Sequence, residues 1–177
     1  MRCLFYLYGG KMFEHNIGPF FDEKSNILIL GSFPSVKSRE ENFYYANKQN
    51  RFWKVLAQVF KDQVPESKSE KKDFLTAHRI ALWDVIASCE ILGSSDASIK
   101  NVTPSDISLI LENSPIEKLV LNGKKATQLF YRNQGSALPL RNCRAQVIEV
   151  YELPSTSPAN ASFSIDKLIA HWSIISK

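Results

Sequence analysis

Cysteine is scarce in this chain, and what there is lies dispersed. Cys3, Cys89 and Cys143 are odd in number and form no CxxC pair. That excludes a disulfide framework and a paired-cysteine zinc site, and it fits a reducing, cytoplasmic setting. Three thiols also fall short of the ligands an iron–sulfur cluster needs. His15, His78 and His171 are scattered without metal-ligand spacing, so neither a metal nor any other cofactor is expected. Phosphate-cradling glycine patterns are missing: there is no Walker A and no GxGxxG. Gly31-Ser32-Phe33-Pro34-Ser35 lacks the central serine and second glycine of a nucleophile elbow. Long apolar runs are missing as well. The opening MRCLFYLYGGK is too short to span a membrane and carries no cleavage site for a signal peptide, so no membrane partner is expected. Met12 reads as an alternative start, with residues 1–11 a poorly ordered or non-native extension.

What is present is ordinary in bulk. Hydrophobic residues make up 44% and charged residues 23% of 177 positions, a composition that suits one globular domain over residues 1–177 and excludes a disordered or fibrous chain. NILIL (26–30), IALWDVI (80–86), IEKLVLNG (116–123) and AQVIEVY (145–151) read as strands. Between them, Phe52, Leu56, Val59 and Phe60 recur at helical spacing, Ser67 with Glu70 opens a second helix through a capping box, and KKATQLFYR is a helix. Thr103-Pro104-Ser105-Asp106 reads as another helix start, and a last helix covers about Ser164 to Ile175. This alternation predicts an α/β fold of three layers, α/β/α, around a central, mainly parallel four-stranded sheet. Ligands of such folds bind beyond the carboxyl ends of the strands. Here those ends are residues 31–38, 84–89, 122–123 and 153–160, where the polar, loop-like segments fall.

The net charge of +4 is modest, but its distribution is uneven. Lys118, Lys124, Lys125, Arg132, Arg141 and Arg144 lie in a stretch free of Asp and Glu, and Lys37, Arg39, Lys48, Arg51 and Lys54 form a second group diluted by Glu40 and Glu41. Such segments suit a polyanion, although a solvated face looks the same in sequence. The strand-end segments add aromatics, amides, hydroxyls and one acid. That inventory fits a nucleobase taken out of its stack, gripped by aromatic faces and read at its edge.

The stretch GSFPSVKSREENFYYANKQNRFWKVL resembles the first motif of the uracil-DNA glycosylase superfamily, and LPSTSPAN resembles its second, a Pro-Ser turn that enters the minor groove. With FYY, NRFW and LWDVIASCE, the pattern is most similar to the hypoxanthine-DNA (deoxyinosine) glycosylase branch, over roughly Met12 to Trp172. The resemblance implies a monofunctional base-excision repair enzyme acting on DNA that contains a deaminated base, a monomer without cofactor. A uracil or G:T/G:U mismatch glycosylase is the alternative within the same fold, and a catalytically silent DNA-binding module is the alternative of another class. The silent reading is motivated by two departures. Phe33 stands where most relatives carry the Asp or Asn that directs water, and Leu153 stands where many carry a histidine.

The resemblance moves catalysis to Asn50, the amide before Arg51-Phe52-Trp53. An amide oxygen can orient water under C1′, and the same residue suits a helix N-cap; the two roles are compatible. Tyr45 aligns with the aromatic that stacks on the flipped base. Ser32, Phe33 and Ser35 would form the pocket floor, presenting backbone N–H groups to the leaving base. Asp84 would accept from N1–H of hypoxanthine, where adenine offers a lone pair, or else would serve the local backbone. Ser155, Thr156, Ser157 and Asn160 would meet phosphates or plug the gap in the duplex, and Lys37, Arg39 and Arg51 would add phosphate contacts.

Overall fold

The run at residues 27–30 is apolar at every position because it lies at the centre of a sheet covered on both sides. In the computed structural model, which describes residues 12–91, 95 and 98–177, strand β2 (Ile27–Gly31) is buried throughout. It pairs in parallel with β3 (Ile80–Asp84) and with β6 (Lys118–Asn122), and β6 pairs in parallel with β7 (Glu149–Leu153). The order is β3-β2-β6-β7. The expectation for residues 1–11 falls outside the described residues.

The two-residue period of a strand sorts the side chains. Ile27 and Ile29 of β2, Ile80 and Leu82 of β3 and Val120 of β6 face one core, with α2 (Phe52–Phe60), α3 (Lys68–Ala77) and α6 (Ile165–Trp172). Leu28, Leu30, Ala81, Leu119 and Leu121 face the other, with α4 (Ser108–Asn113) and α5 (Lys124–Gln134). The three-layer expectation therefore stands. The helix stops and starts follow local chemistry. Ser67 and Glu70 form the expected reciprocal capping box, and the Ser164 Oγ accepts from the Lys167 N–H at 3.3 Å to open α6.

Three expectations need correction. Thr103 and Pro104 do not begin a helix: they end β5 (Lys100–Pro104), which pairs with β4 (Ile86–Glu90), itself paired with β1 (Met12–Glu14), in a separate antiparallel sheet. Pro104 is tolerated there because β5 is an edge strand, and α4 starts only after the Asp106 carboxylate has accepted from the Ser108 N–H at 3.1 Å. The run 80–86 is two strands rather than one, since Val85 turns out of the parallel sheet and donates to the Gly31 carbonyl at 2.9 Å. The fourth strand begins at Glu149, not at Ala145. The buried Asn142 holds the preceding turn by accepting from the Arg144 and Gln146 N–H groups and donating to the Ile116 carbonyl. The opening loop also contains a short helix, α1 (Val36–Glu41), that its composition did not signal.

Among the described residues, no helix is long and apolar enough to cross a membrane.

Candidate functional site

Beyond the carboxyl ends of the parallel strands lies a cleft of about 260 Å³, near the lower bound for small-ligand pockets and suited to one heterocycle. It sits where strand order reverses, with β2 flanked by β3 and β6, the position a doubly wound sheet leaves open. Its walls come from all four strand ends: Gly31 to Ser35 after β2, Asp84 at β3, Asn122 at β6 and Ser155 to Ala159 after β7. Tyr44, Tyr45, Asn47 and Asn50 complete it from the long β2–α2 connection.

Asp84 is one of the few buried acids, and its environment is specific. Oδ2 lies 2.8 Å from Nε2 of His15, and the two side chains are only 6% and 3% exposed. The other imidazole nitrogen, Nδ1, accepts the Ile17 N–H at 3.3 Å. That bond leaves Nε2 as the protonated nitrogen, donating to the carboxylate. Phe33 meets the His15 ring edge-on at 5.9 Å between centroids. Tyr44 closes the far side, its hydroxyl donating to the Gly18 carbonyl at 2.9 Å. Burial, followed by the Asp84 charge and then Tyr45, pushes the Tyr44 phenol far above its usual range. The carboxylate can lie this deep only because residue 31 is glycine: a Cβ there would stand 2.2 Å from Asp84 Oδ1.

Tyr45 is held from three directions. Its ring stacks on Phe52 at 3.6 Å and 14° between planes, its hydroxyl accepts from Asn122 Nδ2 at 3.1 Å, and its carbonyl accepts from Trp53 Nε1 at 3.2 Å. These contacts sustain a backbone φ of 50°, uncommon outside glycine and worth noting at a functional site. Asn122 also donates to the Thr156 hydroxyl and accepts the Thr156 N–H, at 3.2 and 3.1 Å. One buried amide thereby ties the end of β6 to the aromatic wall and to the turn after β7.

Asn50 lines the cleft, and its Oδ1 accepts from the Phe52 N–H at 3.0 Å. The helix begins at Phe52, one residue later than the sequence reading has it, with Arg51 at the flanking position. A carbonyl oxygen has two lone pairs, so this local bond fixes the amide while leaving one acceptor site for a water. Arg51 itself turns inward. Its guanidinium donates to the carbonyls of Thr156 (3.3 Å), Ser157 (2.6 Å), Asn160 (3.0 Å) and Phe163. Four of its five N–H groups are thus committed to the 154–163 loop.

The cleft gathers Ser32, Phe33, Ser35, Tyr45, Asn50, Asp84, Ser155, Thr156 and Ser157 of the residues singled out in sequence. Ser35 doubles as the N-cap of α1, and the Thr156 side chain is fully buried by Asn122 and Arg51. Lys37, Arg39 and Asn160 lie outside the cleft. Lys37 is exposed beside Glu40 and Glu41, whose hydrogen bonding and charge raise its pKa, while the Arg39 guanidinium sits 4.3 Å from the Phe13 ring centroid. Asn160 Nδ2 donates to the Ser155 carbonyl across the loop. A second, larger cleft of about 710 Å³ lies on the other side of that loop, with Lys124 and Lys125 on its wall. His15 and Asn122 are the residues that sequence reasoning missed. Asn122 was recoverable from its place at a strand end, whereas nothing in the spacing of His15 connects it with residue 84. Among the described residues, no cluster of three His, Cys, Asp or Glu side chains could hold a metal ion.

The comparisons with known proteins agree with this architecture. The chain is 35% identical over 155 residues to a hypoxanthine DNA glycosylase of Methanosarcina acetivorans, covering 86% of this chain and 92% of that protein. It is 32% identical over 117 residues to a hypoxanthine DNA glycosylase of Methanosarcina barkeri, covering 65% of this chain and 74% of that one. A solution NMR structure from Methanosarcina acetivorans, named there as a uracil DNA glycosylase, superposes with a TM-score of 0.75 at 29% identity and covers 93% and 96% of the two chains. The family model described as Uracil DNA glycosylase superfamily matches residues 19–172, which include every wall of the cleft. With strand order, cleft and profile in agreement, the chain belongs to the uracil DNA glycosylase superfamily.

Proposed function

We propose that this protein is a monofunctional DNA glycosylase of base-excision repair that hydrolyses the N-glycosidic bond of deaminated bases, hypoxanthine first. The observation that carries the reading is convergence: the Tyr45 ring, the Asn50 amide and the buried Asp84 line one cleft sized for a single heterocycle, beside the Pro-Ser turn. The two relatives named hypoxanthine DNA glycosylase support the choice of base. In this reading the base leaves the duplex and lies against Tyr45, whose opposite face rests on Phe52. Asn50 holds a water under C1′ with the lone pair that its bond to the Phe52 N–H leaves free. The water oxygen bonds to C1′ while the C1′–N9 bond breaks, and the electron pair leaves with the purine. Backbone N–H groups of Ser32, Phe33 and Ser35 stabilise that developing anion electrostatically. The water's proton then passes to solvent or to the departing base. Ser155, Ser157 and Asn160 belong to a turn that meets the DNA backbone, with Lys37 and Arg39 adding to its electrostatic footprint.

The test is incision. Duplexes carrying deoxyinosine, deoxyuridine or only normal bases are incubated with the protein, and alkali reveals abasic sites. Cleavage at inosine supports the proposal. Cleavage at uracil alone would shift it to the uracil and mismatch alternative, which is favoured by one feature: N3–H of uracil offers Asp84 the same donor. Binding without any cleavage would leave a silent DNA-binding module.

A further inference from the structure

We propose that His15 is a positioning residue for base selection: it fixes Asp84 as an acceptor whose second oxygen reads the ring N–H of lactam bases. This inference rests on the glycosylase reading above and names what its pocket distinguishes. The two oxygens of Asp84 have different surroundings. Oδ2 receives the His15 Nε2–H at 2.8 Å. Oδ1 lies over the backbone of Gly31, at the wall of the cleft, and no donor among the described residues reaches it. Oδ1 is not among the buried side-chain atoms left without a partner, and the cleft is the side from which a donor can arrive. His15 cannot serve as the donor for both oxygens, since its Nδ1 already accepts from Ile17. That same acceptance keeps Nε2 as the nitrogen that donates to Asp84. The outcome is a carboxylate held in one orientation, with acceptor character toward the base.

Deamination changes one ring position in a way this acceptor detects. N1 of adenine and N3 of cytosine carry lone pairs, which would face Oδ1 repulsively. The corresponding atoms of hypoxanthine and uracil carry hydrogen, as does N1 of xanthine. The substrate class assigned is therefore bases with an endocyclic lactam N–H. Guanine also has N1–H, and its three-hydrogen-bonded pairing with cytosine makes its extrusion the more costly event. His15 comes from β1 and the chain after it, far in sequence from the other cleft residues. Its ring is wedged between Phe33 and Tyr44 at centroid distances of 5.9 and 6.1 Å.

The experiment compares single-turnover excision by wild type, His15→Phe, His15→Gln, Asp84→Asn and the His15→Phe/Asp84→Asn double variant. Substrates are duplexes containing deoxyinosine, 1-methyldeoxyinosine, which lacks the N1–H, or deoxynebularine, which presents a bare N1. Differences in leaving-group ability cancel when each variant is expressed as a ratio of substrates relative to wild type. His15→Phe keeps an aromatic ring against Phe33 but removes the donor. Its inosine-to-nebularine ratio should fall about tenfold or more, the scale of a hydrogen bond to a charged group. His15→Gln, which retains a donor, should recover part of that loss. The double variant should be no less selective than Asp84→Asn alone, because the two residues act through one contact. An unchanged ratio in a folded His15→Phe would overturn the proposal. Should that variant not fold, the wild-type protein still decides: excision of 1-methylinosine as fast as inosine would refute an N1–H contact. A wild-type protein that cleaves none of these bases would instead overturn the glycosylase reading, and this inference with it.

Discussion

Replacing Arg51 separates two roles that sequence cannot tell apart. As a phosphate contact, Arg51 would contribute about one released counterion to DNA binding, and Arg51→Met would reduce the slope of log Kobs against log salt by about 1. The geometry says otherwise. Four donor contacts run from the guanidinium to the carbonyls of Thr156, Ser157, Asn160 and Phe163. Hydrogen bonds to charged groups contribute roughly 1.5–3 kcal/mol each when considered singly. They are not additive, and water can replace some of them at this half-buried position. A net cost of about 2–4 kcal/mol is therefore expected for Arg51→Met. At about 2–4 °C per kcal/mol for a chain of this size, calorimetry should show a Tm lower by roughly 5–15 °C. Arg51→Lys should resemble Met more than wild type, since a single ammonium cannot span carbonyls spread from residue 156 to residue 163. Anisotropy titrations with an undamaged duplex across a salt series should then give an unchanged slope. A Tm within about 1 °C of wild type together with a slope reduced by about 1 would refute the clamp and return Arg51 to the DNA.

Other substitutions follow from the same geometry. Asn50→Ala should lower excision by about 100-fold or more while DNA affinity persists, and should cost about 1 kcal/mol through the lost hydrogen bond to the Phe52 N–H; full activity would remove Asn50 from the mechanism. Gly31→Ala places a Cβ 2.2 Å from Asp84 Oδ1, so the carboxylate must move and inosine excision should fall more steeply than stability, as read by single-turnover rates beside a thermal melt. Tyr44 gives a pH signature. Its phenol is raised above the ordinary value of 10.0 in the folded protein, so its contribution is complete below that value and is lost as pH rises past it. Urea titrations should show wild type weakening above about pH 10 and Tyr44→Phe lacking that component, at a cost of about 1 kcal/mol at neutral pH from the hydrogen bond to the Gly18 carbonyl.

The parallel sheet was legible in sequence because its signal is local. A strand buried on both faces must be apolar at every position, and residues 27–30 and 119–121 are. The antiparallel sheet of β1, β4 and β5 was not legible, since Ile86–Glu90 and Lys100–Pro104 are partly exposed and mixed in polarity, without a clean alternation. Its pairing depends on β1, more than 70 residues upstream in register with Glu90. The cleft followed the same division. Tyr45, Asn50 and Asp84 stood out because each sits next to a recognisable strand end or helix start. Arg51 stood out as a basic side chain beside a polar loop, and its carbonyl partners, over a hundred residues away, could not be read from the sequence. His15 left no trace, because its partner lies 69 residues on and neither sits in a periodic pattern with the other.

The long-range contacts have one feature in common: they order the cleft with the protein's own donors. Asn122 fixes Thr156 and Tyr45, Arg51 fixes the loop through Phe163, Trp53 fixes the Tyr45 carbonyl, and Trp172 Nε1 donates to the Pro154 carbonyl at 3.0 Å. Each of these bonds exists before DNA arrives, so ordering the loop costs nothing at the moment of binding. A glycosylase must spend binding energy on unstacking a base, and energy that need not order the protein is available for that extrusion. Phe33 and Leu153 belong to the same apolar support. Both are buried in the two cores, with Phe33 also lining the cleft, and both support the scaffold that positions the cleft's amides and its acid.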